Sequence, residues 1–154
     1  MSHEYYMQLA IDRGREGIKK DEQPFGACVV KNGEVISCEH SIVASAVDVT
    51  AHAEINALRV ACKKLNSTDL SGCTLYSTCE PCPMCFGAFH WAKIDRIMFA
   101  MSIEDAYKYG FRELPVMCTD VEKNVGSHIE LIDDGLYAGC KQLFEDWKVR
   151  RHDK

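Results

Sequence analysis

His52-Ala53-Glu54 and, 26 residues further on, Pro81-Cys82-Pro83-Met84-Cys85 place one imidazole, two thiols and one carboxylate in two short segments that must meet in space. Any fold open to this chain has to bring them together. One imidazole and two thiolates fill three positions of a tetrahedral Zn²⁺ and leave the fourth for water, the open arrangement of a catalytic rather than a structural centre. His52, Cys82 and Cys85 are therefore the expected ligands and Zn²⁺ the expected cofactor. Glu54 is left over as an unligated carboxylate, suited to moving protons. A lone C-x-x-C is often half of a structural zinc site or a redox pair, and a lone H-x-E arises by chance; the two together, with Pro81 before the first cysteine, outweigh those readings.

The spacing also says where the ion sits. On a helix, residues two apart diverge by about 200°, so His52 and Glu54 cannot both address one point on its flank. The metal must lie beyond the N-terminal end. Cys82 and Cys85 obey the same geometry, because Pro83 suits the first turn of a helix, where its missing N–H costs nothing. Two helix starts are thus expected to converge on one ion, each with unpaired N–H groups and the positive end of its dipole, and such ends favour the thiolate form of cysteine.

Along the chain, Glu4 to Lys20 reads as a helix, though Gly14 and Gly17 weaken it. Gly26–Val30 and Val35–Cys38 flank Asn32-Gly33, the strongest short hairpin signal, since both central residues of a type I′ turn need positive φ. A polar loop is expected from Glu39 to Ala51. Ile55, Leu58, Ala61, Cys62 and Leu65 then mark a helix beginning near His52. Thr74–Thr78 reads as a strand feeding the cysteine-rich turn, a second helix starts at Pro83, and Arg96–Ala100 is a strand. Ile103–Tyr109 reads as a short helix, Ile129–Ile132 as a weak strand and Gly135–Arg150 as a terminal helix. Alternating strands and helices predict one domain over residues 1–154, an α/β fold with three α/β/α layers in which the hairpin gives an antiparallel edge and later crossovers give parallel pairing.

Composition narrows the partners. The net charge is −5, which offers polyphosphate no general attraction, and the one basic cluster is Lys148, Arg150, Arg151 and Lys154. Such a cluster is ordinarily the favourable cationic end of a helix. No apolar run reaches the length of a membrane span and Met1-Ser2-His3-Glu4 has no signal-peptide character, so no membrane contact and a cytoplasmic location are expected. The nine cysteines are expected to be reduced, two on metal and the rest, Cys28 and Cys38 among them, small buried residues or ordinary thiols.

His52-Ala53-Glu54, Thr78-Cys79-Glu80-Pro81-Cys82-Pro83-Met84-Cys85 and Pro24-Phe25-Gly26-Ala27 together resemble the cytidine deaminase-like superfamily, in the branch of guanine, cytosine and tRNA adenosine deaminases. The likeness runs from about Tyr6 to Trp147. It implies a central mixed five-stranded sheet and hydrolysis of an exocyclic amino group to a carbonyl with release of ammonia, with Glu54 as the proton carrier. It also implies that the Ala53 backbone N–H meets the base and that Phe25 lines the pocket. Trp91, in Phe89-His90-Trp91, resembles the aromatic pair of guanine deaminases, and Gly110-Phe111-Arg112-Glu113 their Gly-Phe-acidic segment, with Glu113 reading N–H donors of the base. Ser41 departs from the pattern, since an Asn usually stands there with a donor and an acceptor for the base. The resemblance thus favours water and a small, guanine-like free heterocycle as substrates, with tRNA adenosine or cytosine as alternatives and a zinc-holding interaction module as the non-enzymatic one. It implies a homodimer, in which C-terminal segments are exchanged between subunits or pack within the chain.

Overall fold

Asn32 and Gly33 adopt φ of 50° and 80°, as a type I′ turn requires, and join β1 (Gly26–Lys31) to β2 (Glu34–His40). The structure is a computed structural model, and it describes residues 1–133 and 136–154. The remaining strands are β3 (Cys73–Cys79), β4 (Arg96–Met101) and β5 (Glu130–Asp133). In order β2-β1-β3-β4-β5 they form one five-stranded sheet, antiparallel from β2 to β3 and parallel from β3 to β5. The helices are α1 (His3–Lys19), α2 (Val43–Ala46), α3 (Ala53–Leu65), α4 (Pro83–Trp91), α5 (Ile103–Tyr107), α6 (Cys118–Val125) and α7 (Tyr137–His152).

Strand alternation sorts the core into two halves. Ala27 and Val29 of β1, with Leu75 and Ile97, face Ala57 and Ala61 of α3, Phe86 and Phe89 of α4 and Cys118 of α6. Cys28 and Val30, with Tyr76 and Met98, face Met7, Ala10 and Ile11 of α1 and Cys140 and Phe144 of α7. This is the expected α/β/α layering, and the period-2 pattern of β1 is what fills both layers at once. The glycines of α1 serve the packing: a side chain at Gly14 would meet Leu143, and one at Gly17 would meet His40. Leu143 and Phe144 are fully buried, so α7 closes back on α1 and β4 of its own chain.

Several expectations change in detail. A bulge between Val29 and Val30 shifts the hairpin register by one, so Cys28 faces Cys38 instead of Ser37. The two cysteines, with Cα atoms 4.0 Å apart, are joined as a disulfide, which corrects the expectation that both are reduced. The loop after β2 carries the short α2, and α6 was not foreseen: it is eight residues long, and of its apolar Cys118, Val121 and Val125 only Cys118 is buried. The terminal helix runs from Tyr137; its expected start at Gly135 lies outside the described residues. Among the described residues no helix is long and apolar enough to cross a membrane.

Candidate metal centre and cleft

His52 and Cys82 are the N-cap residues of α3 and α4, each in extended backbone, and Pro83 holds the first position of α4. The two helix starts converge. His52 Nδ1 lies 3.8 Å from Cys82 Sγ and 3.5 Å from Cys85 Sγ. Ligand atoms at ordinary Zn–N and Zn–S bond lengths and tetrahedral angles stand about 3.6 Å apart, so this donor set fits zinc in number, chemistry and spacing. The three donors also perturb one another. Cys82 is drawn down to about 4, chiefly by a hydrogen bond with Cys85 and against the cost of burial, and that same bond and then burial push the Cys85 thiol up. Hydrogen bonding to Cys82 raises His52 against desolvation. Two thiolates this close repel, and a dication between them removes that cost.

Glu54 occupies the first turn of α3, is 5% exposed, and burial pushes its carboxyl up to about 7, opposed by the charge of His52. Ser77 Oγ, from the neighbouring β3, donates to Glu54 Oε1 at 3.3 Å and fixes the carboxylate's orientation. A carboxyl balanced near neutrality can both take and give a proton, which an exposed glutamate does poorly at pH 7. Ala53, 1% exposed, is the first residue of α3, so its N–H has no acceptor within the helix.

His52, Glu54 and Cys82 line a cleft of about 310 Å³ together with Phe25, Ser41 and Glu113; Ala53 and Cys85 are not part of its lining. Phe25 stands on its wall edge-to-face against Phe111 and Phe144, at 4.9 and 5.4 Å between ring centres. Glu113 is held by the loop after α5; burial, and then the charge of Cys82, raise its carboxyl. Ser41 is 1% exposed, and its backbone N–H donates to the Phe25 carbonyl at 3.1 Å. Trp91 is not brought to the cleft of its own chain: it ends α4, 85% exposed, while the cleft is lined from the start of that helix by Pro83 and Met84. Eight residues of helix carry it about 12 Å along the axis.

Sequence reasoning missed residues that hold the cleft in shape. The carboxylate of Glu22, 2% exposed, accepts from Ala44 N at 3.1 Å and Ser45 N at 2.9 Å, capping α2. The Asn56 amide donates to the carbonyls of His40 at 3.0 Å and Ala51 at 3.1 Å, tying together both ends of the loop that begins with Ser41. A polar residue inside the otherwise apolar Ile55-Asn56-Ala57 run was the available signal.

Residues 1–101 match the family model of the cytidine and deoxycytidylate deaminase zinc-binding region. The chain belongs to this family. That match takes in both helix starts, and the family's zinc agrees with the His52, Cys82 and Cys85 cluster. Within the family the chain is 42% identical to the guanine deaminase of Bacillus subtilis over 112 residues, 72% of each protein. It is also 42% identical to the tRNA-specific adenosine deaminase of Aquifex aeolicus over 100 residues, 65% of this chain and 66% of that one. The chain thus spans about two thirds of the length of the curated relatives it matches. A solved guanine deaminase of Nitrosomonas europaea shares the fold with a TM-score of 0.86 and 30% identity, over 96% of this chain and 85% of that structure.

Proposed function

We propose that the chain is a hydrolytic deaminase of a small amino-heterocycle, guanine-like, acting in the cytoplasm as a homodimer. The observation that carries this reading is a buried carboxylate, Glu54, beside a three-donor metal cluster, in a cleft that also holds Glu113. His52, Cys82 and Cys85 would hold the zinc. When bound, the zinc supplies a Lewis acid that makes water nucleophilic at neutral pH.

This chain's own residues do the rest. Glu54 takes one proton from the attacking water and delivers it to the ring nitrogen beside the amino-bearing carbon, then takes the second from the hydroxyl now on that carbon and delivers it to the amino group, so that the carbonyl forms as the C–N bond breaks and ammonia leaves. Ser77 keeps the accepting oxygen in place between those transfers. The Ala53 N–H, aimed from a helix start, holds an oxygen or nitrogen acceptor of the ring, while Phe25 and Phe111 confine its faces. Glu113 accepts from N–H donors such as those on the pyrimidine edge of guanine, and Ser41 leaves space where a longer amide would pair.

Two features weigh for a free heterocycle over an RNA substrate. The net charge is −5, and three of the four residues of the basic cluster are engaged within the chain: Arg150 and Lys154 pair with Asp21, while Arg151 lies over the Trp147 ring. The 42% identity to a tRNA-specific adenosine deaminase keeps RNA as the second reading. An ammonia-release screen of the zinc-loaded protein against free bases, nucleosides, pterins and triazines, with a tRNA anticodon stem-loop in parallel, decides. Turnover of a free heterocycle with weak salt dependence is expected. Turnover of the stem-loop alone, collapsing between low and moderate salt, overturns the assignment.

A further inference from the structure

Glu80 stands between the end of β3 and Pro81-Cys82, 4% exposed, and its two carboxylate oxygens have separate backbone donors. Oε2 accepts from Ile103 N at 3.0 Å and Oε1 from Cys118 N at 2.8 Å. Its own N–H donates to the Met101 carbonyl at 2.7 Å. Ile103 and Cys118 are the first residues of α5 and α6, whose N–H groups have no acceptor inside their helices. One buried carboxylate therefore caps two helices at once, with the favourable charge for both dipoles. For α5 this adds to the Ser102–Asp105 capping box; α6 has no side-chain cap of its own from Met117.

The stretch between those two points carries Phe111, Arg112, Glu113 and Leu114, all in the lining of the cleft. Phe111 packs on the rings of Phe25, Phe144 and Trp147, but beyond it Leu114, Pro115 and Val116 are exposed, so apolar packing holds this wall at its Phe111 end and little of it towards α6. We infer that Glu80 is a positioning residue that fastens the Phe111–Glu113 wall to the metal-ligand loop, and so sets the distance between the part of the site that reads the heterocycle and the part that reacts with it. Glu80 also borders the cleft, but both its oxygens are occupied by amides, so it acts through the backbone it holds.

Glu80→Gln preserves size and breaks the device. A glutamine has one acceptor oxygen, and its NH₂ would confront a backbone N–H that has no other partner. In zinc-loaded protein, hydrogen exchange followed by mass spectrometry is expected to show residues 103–118 exchanging about tenfold or more faster than in the parent, from the loss of one charge-assisted bond. Protection of α1 and α3 and a zinc content of one per chain should be unchanged. In the parent itself, the Ile103 and Cys118 amides should be as slow as those of the central strands. Fast exchange of those two amides in the parent, or unchanged protection of 103–118 in the variant, overturns the inference, as does loss of zinc.

A kinetic arm rests on the proposed function and uses guanine. Glu80→Gln should raise KM about tenfold with kcat within about threefold, and Glu80→Gln combined with Glu113→Gln should cost less than the sum of the single losses, because both act on one contact. Additive losses, or a fall in kcat alone, count against Glu80 acting through Glu113. If the parent does not turn guanine over, the substrate reading fails, and the exchange experiment still decides the role of Glu80.

Discussion

A methyl group at Gly26 tests how closely α1 is set on the sheet and what depends on that closeness. A Cβ there would lie 1.9 Å from the Ala10 carbonyl oxygen, 2.7 Å from the Gly14 nitrogen and 2.9 Å from the Ala10 carbonyl carbon. All three are backbone atoms of one helix, so no rotamer change relieves the overlap. Carbon–oxygen contacts rarely close below about 3.3 Å, and α1 would have to withdraw by roughly 1.4 Å. Overpacking of a core costs about 1–3 kcal/mol, and Gly26→Ala belongs at the upper end because an entire helix must move. At roughly 2–4 °C per kcal/mol for a chain of this size, the melting temperature should fall by about 6–12 °C. Phe25, next in the chain, would move with the strand start, so the cleft wall should loosen as well. Gly87→Ala is the control, since a Cβ there meets nothing within 4 Å and the residue is interior to α4; it should gain about 0.5–1 kcal/mol. Urea unfolding of the zinc-loaded variants, followed by circular dichroism, measures both. A Gly26→Ala protein within 1 kcal/mol of the parent at unchanged m-value would refute the packing argument, as would equal effects at the two glycines.

Cys82→Ala and Cys85→Ala should each reduce zinc from about one per chain to near none after dialysis, because a three-donor centre has no spare ligand; elemental analysis showing metal-free, active protein would sink the metal assignment. Glu54→Gln should keep zinc and fold and lose about 10²–10⁴-fold in kcat, since an amide cannot carry protons; near-normal turnover with zinc present excludes Glu54 as the proton carrier. Ser41→Asn should move the kcat/KM ratio between guanine and the parent's preferred substrate toward guanine by about 1–3 kcal/mol, the worth of one hydrogen bond to a well-placed group. An unchanged ratio would mean that Ser41 does not read the heterocycle.

What was legible in the sequence follows from how far apart the interacting residues stand. The metal cluster and the helix starts were readable because each half is local: His52 with Glu54, and Cys82 with Cys85, fix their geometry within a single helical turn. The Asn32-Gly33 turn was readable for the same reason, and it set the hairpin. Features that need a partner from another element were not. The Cys28–Cys38 pair depends on a bulge that leaves no mark in composition, and Ser77 meets Glu54 only because β3 runs beside the start of α3.

Trp91 shows where short-range spacing stops informing. The aromatic pair it belongs to is recognisable by its spacing after the cysteines, yet spacing along a helix fixes a residue's height above the site as well as its face, and at the end of α4 Trp91 stands exposed, away from the cleft of its own chain. Glu80 makes the same point from the other side. It lies within the most recognisable stretch of the chain, but its two partners are 23 and 38 residues away, on helices that the sequence announced weakly or not at all. In this chain the reacting groups are therefore set by short-range rules and the shape of the pocket by long-range ones. The positions of Glu80, Ser41 and Glu113 can thus change the space around the site without touching His52, Glu54, Cys82 or Cys85. Substrate choice should accordingly respond to changes in the Ser41 loop and the 103–118 segment while zinc content does not, and a substitution in either segment that alters zinc stoichiometry would break that separation.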